Sequence, residues 1–321
     1  MIESNRTPLS LRRIRLQDGR EQEILVKRDD LHPIALGGNK ARKMISRLNM
    51  VKLGDDPVAL VTCGGTQSNH CRVAALMAAE RGWACSLVLH GAPEDLDVPR
   101  GNLLISLLAG ARVCLVHPDD IASRLDEQVA ELRADGYHVE LIAGGGHDQQ
   151  GAKAYAAAAR ELTQQCMEMT DAPPEIVIVA SGTGTTQGGI LAGLAAEDAR
   201  AHVIGVSVGR SVERGVGPIE EAFAWAADGH AQCCEPIDFR DEWLDGGYGR
   251  YTQDTLSAVS RLARDTGLMA DPVYVGKAAN ALYSLLERGE IDSSRPIVLW
   301  HTGSVPVLLG ACPGDGWVLS R

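Results

Sequence analysis

Lys40 stands in the segment Gly37-Gly38-Asn39-Lys40-Ala41-Arg42-Lys43, shortly after the charged run Lys27-Arg28-Asp29-Asp30. A lysine that attacks a carbonyl carbon must be partly neutral near pH 7, and desolvation or adjacent cations lower its pKa enough for that. Arg42 and Lys43 are such neighbours, and either has the chemistry to meet a phosphate. The two glycines let the backbone approach a flat ring. Alone, the same lysine also reads as a solvated surface charge.

Two further segments gain meaning beside it. Residues 175–180 run into Ser181-Gly182-Thr183-Gly184-Thr185-Thr186-Gln187-Gly188-Gly189 and then into a helical stretch. A strand feeding a glycine- and hydroxyl-rich turn at a helix N-terminus presents free N–H groups and the positive end of the helix dipole. It is not a Walker A loop, because no Gly-Lys-Ser/Thr follows. Gly182, Gly184 and Gly188 approach a dinucleotide pattern, with Arg210 placed to face a 2′-phosphate. The crowd of hydroxyls favours a phosphomonoester, and a tight strand-to-helix turn is the remaining reading. In Gly64-Gly65-Thr66-Gln67-Ser68-Asn69-His70, Ser68 is expected at a helix N-cap, where hydroxyl and amides grip a carboxylate or merely cap the helix.

These residues need a scaffold, and the apolar pattern supplies one. β-Branched runs at 58–63, 85–90, 112–117, 175–180, 202–208 and 296–300 alternate with Ala/Leu-rich helical stretches at 69–81, 150–169, 188–197, 252–265 and 276–288. Short continuous runs fit strands buried on both faces, and helices between them imply right-handed crossovers in a mainly parallel sheet. Ligands in such folds sit at the carboxyl ends of strands, where the loops at 64–66, 144–146 and 181–189 lie. No repeat or linker breaks the pattern, so two domains would be interwoven.

Composition bounds the function classes. The 321 residues carry a formal charge of -11, with 45% hydrophobic, 23% charged and 4% aromatic residues. The negative charge argues against a sequence-independent nucleic-acid partner. No apolar run reaches the ~20 residues of a membrane span, and residues 1–15 lack the apolar core of a secretory signal. The eight cysteines form no CxxC pair, so reduced thiols in a cytoplasmic protein without a metal are expected, and vicinal Cys233-Cys234 has no further ligands nearby.

Taken together, Gly-Gly-Asn-Lys-x-Arg-Lys at 37–43, Gly-Gly-x-Gln-Ser-Asn-His at 64–70, Ser-Gly-Thr-Gly-Thr-Thr-Gln-Gly-Gly at 181–189, Gly-Tyr-Gly at 247–249, Asp-Pro-Val-Tyr-x-Gly-Lys at 271–277 and His-Thr-Gly at 301–303 form an ordered set. The set resembles the D-cysteine desulfhydrase and 1-aminocyclopropane-1-carboxylate (ACC) deaminase family of fold-type II, tryptophan-synthase-β-like pyridoxal-phosphate (PLP) enzymes. The resemblance implies an α/β fold of two interwoven, open twisted, mainly parallel sheets flanked by helices. A large domain of 1–45 and 155–321 would hold a small domain of 46–154 inserted after the lysine, in a homodimer. By the same resemblance Lys40 would carry PLP through an imine and shuttle the substrate α-proton. Gly182, Thr183, Gly184, Thr185 and Thr186, with Lys43, would hold the phosphate, Asn69 the ring 3′ oxygen, and Thr302 would face the ring nitrogen. Ser68, with Asn69 and His70, would bind the substrate carboxylate, while Tyr248 and Tyr274 position or protonate the substrate.

Within the family, deaminases carry an acid after the tyrosine of the Asp-Pro-Val-Tyr segment and a leucine in the last loop, where this chain has Val275 and Thr302. A neutral hydroxyl leaves the ring nitrogen a weaker electron sink, which suits loss of a good leaving group from a β-substituted alanine. The expected reaction is elimination from D-cysteine to pyruvate, hydrogen sulfide and ammonia, with L-cysteate sulfo-lyase and ACC deaminase as alternatives. Arg250 next to Gly-Tyr-Gly, and Ser304 after His-Thr-Gly, depart from the pattern; Arg250 would pair with an anionic β-substituent or face solvent.

Overall fold

Strands form where β-branched residues run without interruption, and burial on both faces marks the central ones: every residue of Ile176–Ser181 is buried. The computed structural model describes residues 6–52, 54–227, 236–292, 294–303 and 305–311; Cys233, Cys234, Cys312 and Ser304 lie outside them. In chain order the elements are β1 (Leu9–Arg15), β2 (Glu21–Arg28), α1 (Asn39–Leu48), β3 (Val58–Gly65), α2 (Asn69–Glu80), β4 (Ala84–His90), α3 (Gly101–Leu108), β5 (Arg112–Leu115), α4 (Ile121–Ala134) and β6 (His138–Leu141). Then follow α5 (Gln149–Thr170), β7 (Ile176–Ser181), α6 (Thr185–Ala196), β8 (His202–Ser207), α7 (Val212–Ala227), β9 (Asp238–Arg240), α8 (Gln253–Thr266), α9 (Val275–Glu287), β10 (Ile297–His301) and α10 (Val305–Gly310).

The described strands make two sheets, ordered β1-β2-β10-β7-β8-β9 and β5-β4-β3-β6. All neighbours are parallel except the β1–β2 hairpin at one edge of the larger sheet. The protein is therefore α/β with two mainly parallel sheets flanked by helices, as the alternation of runs implies. The larger sheet takes strands from 9–28 and 176–301, the smaller from 58–141. Helix α5 is continuous from Gln149 to Thr170, so a division between 154 and 155 falls within its second turn.

Alternation along β7 sorts the core. Ile176, Ile178 and Ala180 join Ala258, Val259 and Leu262 of α8 and Ala278, Ala279 and Leu282 of α9. Val177 and Val179 join Ala158, Ala159 and Leu162 of α5 and Ile190 and Leu194 of α6. Each fully buried Leu, Ile or Val stabilises by roughly 1.5–3 kcal/mol. Helices α5 and α6 touch backbone to backbone: a Cβ on Gly193 would lie 2.3 Å from the Ala156 carbonyl oxygen. Such close approach explains how a chain with 4% aromatics fills its core with alanine. In the smaller sheet, Leu60, Leu87 and Leu89 pack with Met44 and Ile45 of α1, Val73 and Met77 of α2, and Leu103 of α3.

The charged run at 27–30 is internal rather than solvated. Asp29 is wholly buried and accepts from Thr7 Oγ1 (2.8 Å), Arg42 Nε (2.9 Å), Tyr155 Oη (2.6 Å) and Trp300 Nε1 (2.8 Å). Arg42 also pairs with Glu161, which holds the buried Lys27. Burial would raise the Asp29 carboxyl, but Arg42, Lys27 and the two ring donors outweigh it and hold it below the usual range. This network ties β2, α1, α5 and β10 together and occupies Arg42. Neither role foreseen for Arg42, beside the lysine amine or at a phosphate, is open to a guanidinium so engaged.

Candidate active site

The carboxyl ends of β3, β7, β8 and β10 converge on a cavity of about 370 Å³. Its wall includes Lys40, Ser68, Asn69, His70, Gly182, Thr183, Gly184, Thr186, Tyr248, Tyr274 and Thr302. Thr185 and Lys43 are buried just behind it, and Arg250 is exposed away from it. Asn39 and His90, not foreseen at this site, also line it, as does Arg210, which the dinucleotide pattern had placed toward a 2′-phosphate.

Lys40 lies in the first turn of α1, whose N-cap Gly38 has φ 98°. The approach is a strained loop: Ala35 (φ 51°) and Leu36 (φ 61°) hold left-handed backbone that side chains disfavour. Buried Arg72 of α2 donates to the Ala35 carbonyl and, at 3.3 Å, to that of Gly37, locking the loop. Asn39 N–H donates to the Thr302 carbonyl at 2.9 Å. Lys40 Nζ then donates to the Gly145 carbonyl at 3.1 Å, and burial lowers its pKa to about 8. Burial, reinforced by Lys40, pushes the neighbouring Lys43 well below its ordinary value.

At another wall Gly184 (φ 87°) caps α6. A Cβ there would sit 2.9 Å from the Ile219 nitrogen, so glycine is required both for conformation and for space. The helix starts at Thr185, three residues before the stretch anticipated from the apolar pattern, so Thr185 and Thr186 occupy its first turn. Amides of Thr185, Thr186 and Gln187 find no acceptor among the described residues, and the buried Ser181 hydroxyl is unpartnered. Thr186 Oγ1 accepts from Asn39 Nδ2 (3.1 Å), and His147 Nδ1 meets Thr185 Oγ1 (2.7 Å). These are the features of a cradle for a small dianion.

On the side of the smaller sheet Ser68 caps α2 by accepting from Cys71 N–H at 3.3 Å, so its own hydroxyl proton is free to donate. Amides of Asn69 and His70 have no acceptor among the described residues, which suits a carboxylate. Asn102 Nδ2 donates to Asn69 Oδ1 at 2.9 Å, which fixes the amide so that the Asn69 NH2 is left as donor. His70 Nε2 meets Thr62 Oγ1 (2.9 Å), whose proton goes to the Ile142 carbonyl (2.8 Å); the imidazole is thus the Nε2–H tautomer. Burial and the two lysines bring its pKa to about 3, so it stays neutral.

Tyr248 and Tyr274 share a 2.5 Å hydroxyl contact. Burial raises both phenols, Tyr274 well above its ordinary value, so both keep their protons at neutral pH. Asp271 accepts from the N–H groups of Val273 and Tyr274 (both 2.8 Å) and Val275 (3.2 Å), which fixes Tyr274. Lys277 Nζ donates to the Leu244 (2.6 Å) and Gly247 (3.3 Å) carbonyls of the loop bearing Tyr248. Val275 is fully buried in the apolar core rather than in the cavity wall, so Thr302 alone of the two discriminating positions faces the cavity.

A desolvated lysine amine, an anion cradle at a helix N-terminus and a fixed amide donor thus share one cavity. Residues 3–303 match the family model described as pyridoxal-phosphate dependent enzyme. The chain belongs to that family. It is a PLP-dependent enzyme, and the cavity fits the cofactor: Lys40 would hold it, and the free amides, hydroxyls and orphaned Ser181 Oγ at the α6 end suit its phosphate. The chain is 34% identical to D-cysteine desulfhydrase of Klebsiella pneumoniae subsp. pneumoniae, over 93% of this chain and 92% of the relative. It is 33% identical to D-cysteine desulfhydrase of Salmonella typhi over the same shares. Among solved structures it is similar to an ACC deaminase homologue, with TM-score 0.81, 25% identity and coverage of 96% of this chain and 92% of the other. A hydrogen sulfide-producing enzyme from Fusobacterium nucleatum shares the fold, with TM-score 0.64, 16% identity and coverage of 95% and 99%. Among the described residues, no helix is long and apolar enough to cross a membrane.

Proposed function

We propose that this enzyme is a D-cysteine desulfhydrase, releasing pyruvate, hydrogen sulfide and ammonia by α,β-elimination. The observation that carries the reading is the pairing of an amine of lowered pKa, Lys40, with two protonated phenols, Tyr248 and Tyr274, in a cavity whose described wall holds no carboxylate. PLP supplies an electron-withdrawing ring that stabilises negative charge at the substrate α-carbon. Lys40 Nζ removes the α-proton, and the Tyr248–Tyr274 hydroxyl pair donates toward the departing sulfur. Ser68 Oγ with the Asn69 and His70 amides would bind the substrate carboxylate; the Thr183 and Thr186 hydroxyls, with the free amides of Thr185 to Gln187, would hold the cofactor phosphate; Asn69 Nδ2 would donate to the ring oxygen. Thr302 supplies an uncharged contact at the ring nitrogen, adequate for a thiol leaving group and poor for opening a strained carbon ring. The two desulfhydrase relatives at 33–34% identity support that choice over ACC deaminase and cysteate sulfo-lyase.

The large domain at 1–45 and 155–321, the small domain at 46–154, a homodimeric assembly and a cytoplasmic location complete the proposal. A keto-acid assay over D-cysteine, L-cysteine, β-chloroalanine, cysteate and ACC tests the chemistry. Pyruvate from D-cysteine with little 2-oxobutyrate from ACC is expected. Equal turnover of ACC would overturn it.

A further inference from the structure

The cavity lies in a chain of net charge -11, yet no Asp or Glu is among its described lining residues. The cations at its wall are Lys40 and Arg210. Lys40 is committed to the cofactor, and Lys43, behind the wall, is driven toward neutrality by burial and by Lys40. A bound phosphomonoester brings close to two negative charges and an amino-acid substrate brings a carboxylate. The donors described for both are uncharged amides and hydroxyls. Arg210 is the cation left to balance them.

Its backbone is set for the purpose. At the carboxyl end of β8, Ser207 Oγ donates to the Arg210 carbonyl (2.6 Å) and accepts from its N–H (3.0 Å), closing a tight turn. Gly209 within that turn packs on Tyr248, where an added Cβ would lie 3.0 Å from the tyrosine Cβ. The side chain is half-buried and has no ion-pair partner among the described residues. Desolvation and Arg214 disfavour its charge, a cost that a bound anion would remove.

We propose that Arg210 is an anion-recognition residue of the active-site cavity, binding a tetrahedral oxyanion. The proposal rests on the PLP reading of the cavity. Two sources share this chemistry: the phosphate of PLP and an oxyanionic β-substituent of the substrate. It transfers to Arg210 the task that sequence had offered to the exposed Arg250.

Spectrophotometric titration of apo-protein with PLP, for wild type, Arg210→Gln and Arg210→Lys, provides one arm. The Ki or KM values of the holoenzymes for cysteate against uncharged β-chloroalanine provide the other. PLP affinity weakened about tenfold in Arg210→Gln and largely restored in Arg210→Lys supports the proposal with the cofactor phosphate as ligand. Unchanged PLP affinity, with the cysteate-to-chloroalanine ratio raised about tenfold in Arg210→Gln, supports it with a substrate-side ligand. No change in either measurement overturns it. Failure of the wild type to take up PLP would instead overturn the reading of the cavity on which it rests.

Discussion

At the residue scale, the amine of Lys40 carries the most testable chemistry. Its ordinary value of 10.5 is lowered to about 8, so the neutral, nucleophilic form grows as pH rises through that value. The rate at which apo-protein takes up PLP should climb from pH 6.5 and level above about 8.5; a rate flat across that range would contradict the lowered amine. Lys40→Ala should lose turnover and the borohydride-trapped cofactor together, and peptide mapping locates the adduct. Asn102→Leu removes the donor that orients Asn69. One lost hydrogen bond of about 1–1.5 kcal/mol should reduce kcat roughly tenfold and shift the cofactor absorbance, while PLP content stays near full. Lys40, Ser68 and the phosphate-loop residues were legible because their chemistry is written into short local motifs. Asn39, Asn102 and His147 were not recognised as parts of the site, since their partners lie at 186, 69 and 185, and Arg210 was noticed only through the dinucleotide pattern.

Elements show why continuity of apolar residues was a good guide and where it stopped. Runs such as 176–181 are buried throughout and were recognised within a residue or two. Strand β1 shows only its first and sixth residues buried, among serine and arginines, so the edge hairpin left no continuous run. Helix α7 contains Gly215, Gly217 and Pro218, which break a helical pattern in sequence. Helix α1 was hidden by polar residues that are in fact buried, Arg42 and Lys43 among them. Helix α9 reaches the site through Lys277, which clamps the loop of Tyr248. Lys277→Met should raise KM several-fold more than it alters PLP affinity, because the loop loosens while the α6 cradle is untouched. Loss of cofactor affinity in parallel would show that the lysine serves the wider fold instead.

For the whole molecule, the Asp29 network joins segments from both ends of the chain. Asp29→Asn leaves Arg42 and Lys27 with less compensation, at a cost of about 3 kcal/mol, and should lower Tm by several degrees at neutral pH. The sign with pH follows from the lowered carboxyl. Its stabilisation is fully present above the unfolded value near 4 and disappears as pH falls through the lower folded value. The gap in Tm between wild type and variant should therefore narrow below about pH 4, as calorimetry would show; a gap that widened in acid would refute the assignment. Sequence foretold a two-sheet, interwoven arrangement, but not that the interweaving rests on buried charge.

Strand order also governs when the molecule becomes an enzyme during its synthesis. Strand β10, residues 297–301, lies between β2 and β7 in the larger sheet. The smaller sheet is contiguous in the chain and has all its strands once residue 141 has left the ribosome. The larger sheet cannot close until more than as much chain again has followed, because the inner edges of β2 and β7 have no partner before then. Until that moment two apolar strand edges stay unpaired, a state that invites association with other nascent chains. Insertion of β10 also brings in Trp300 and Thr302, so closing the sheet and completing the cavity are one event. A ribosome stalled short of residue 297 would thus hold a formed smaller sheet and no working site, and chaperone demand should peak late in translation.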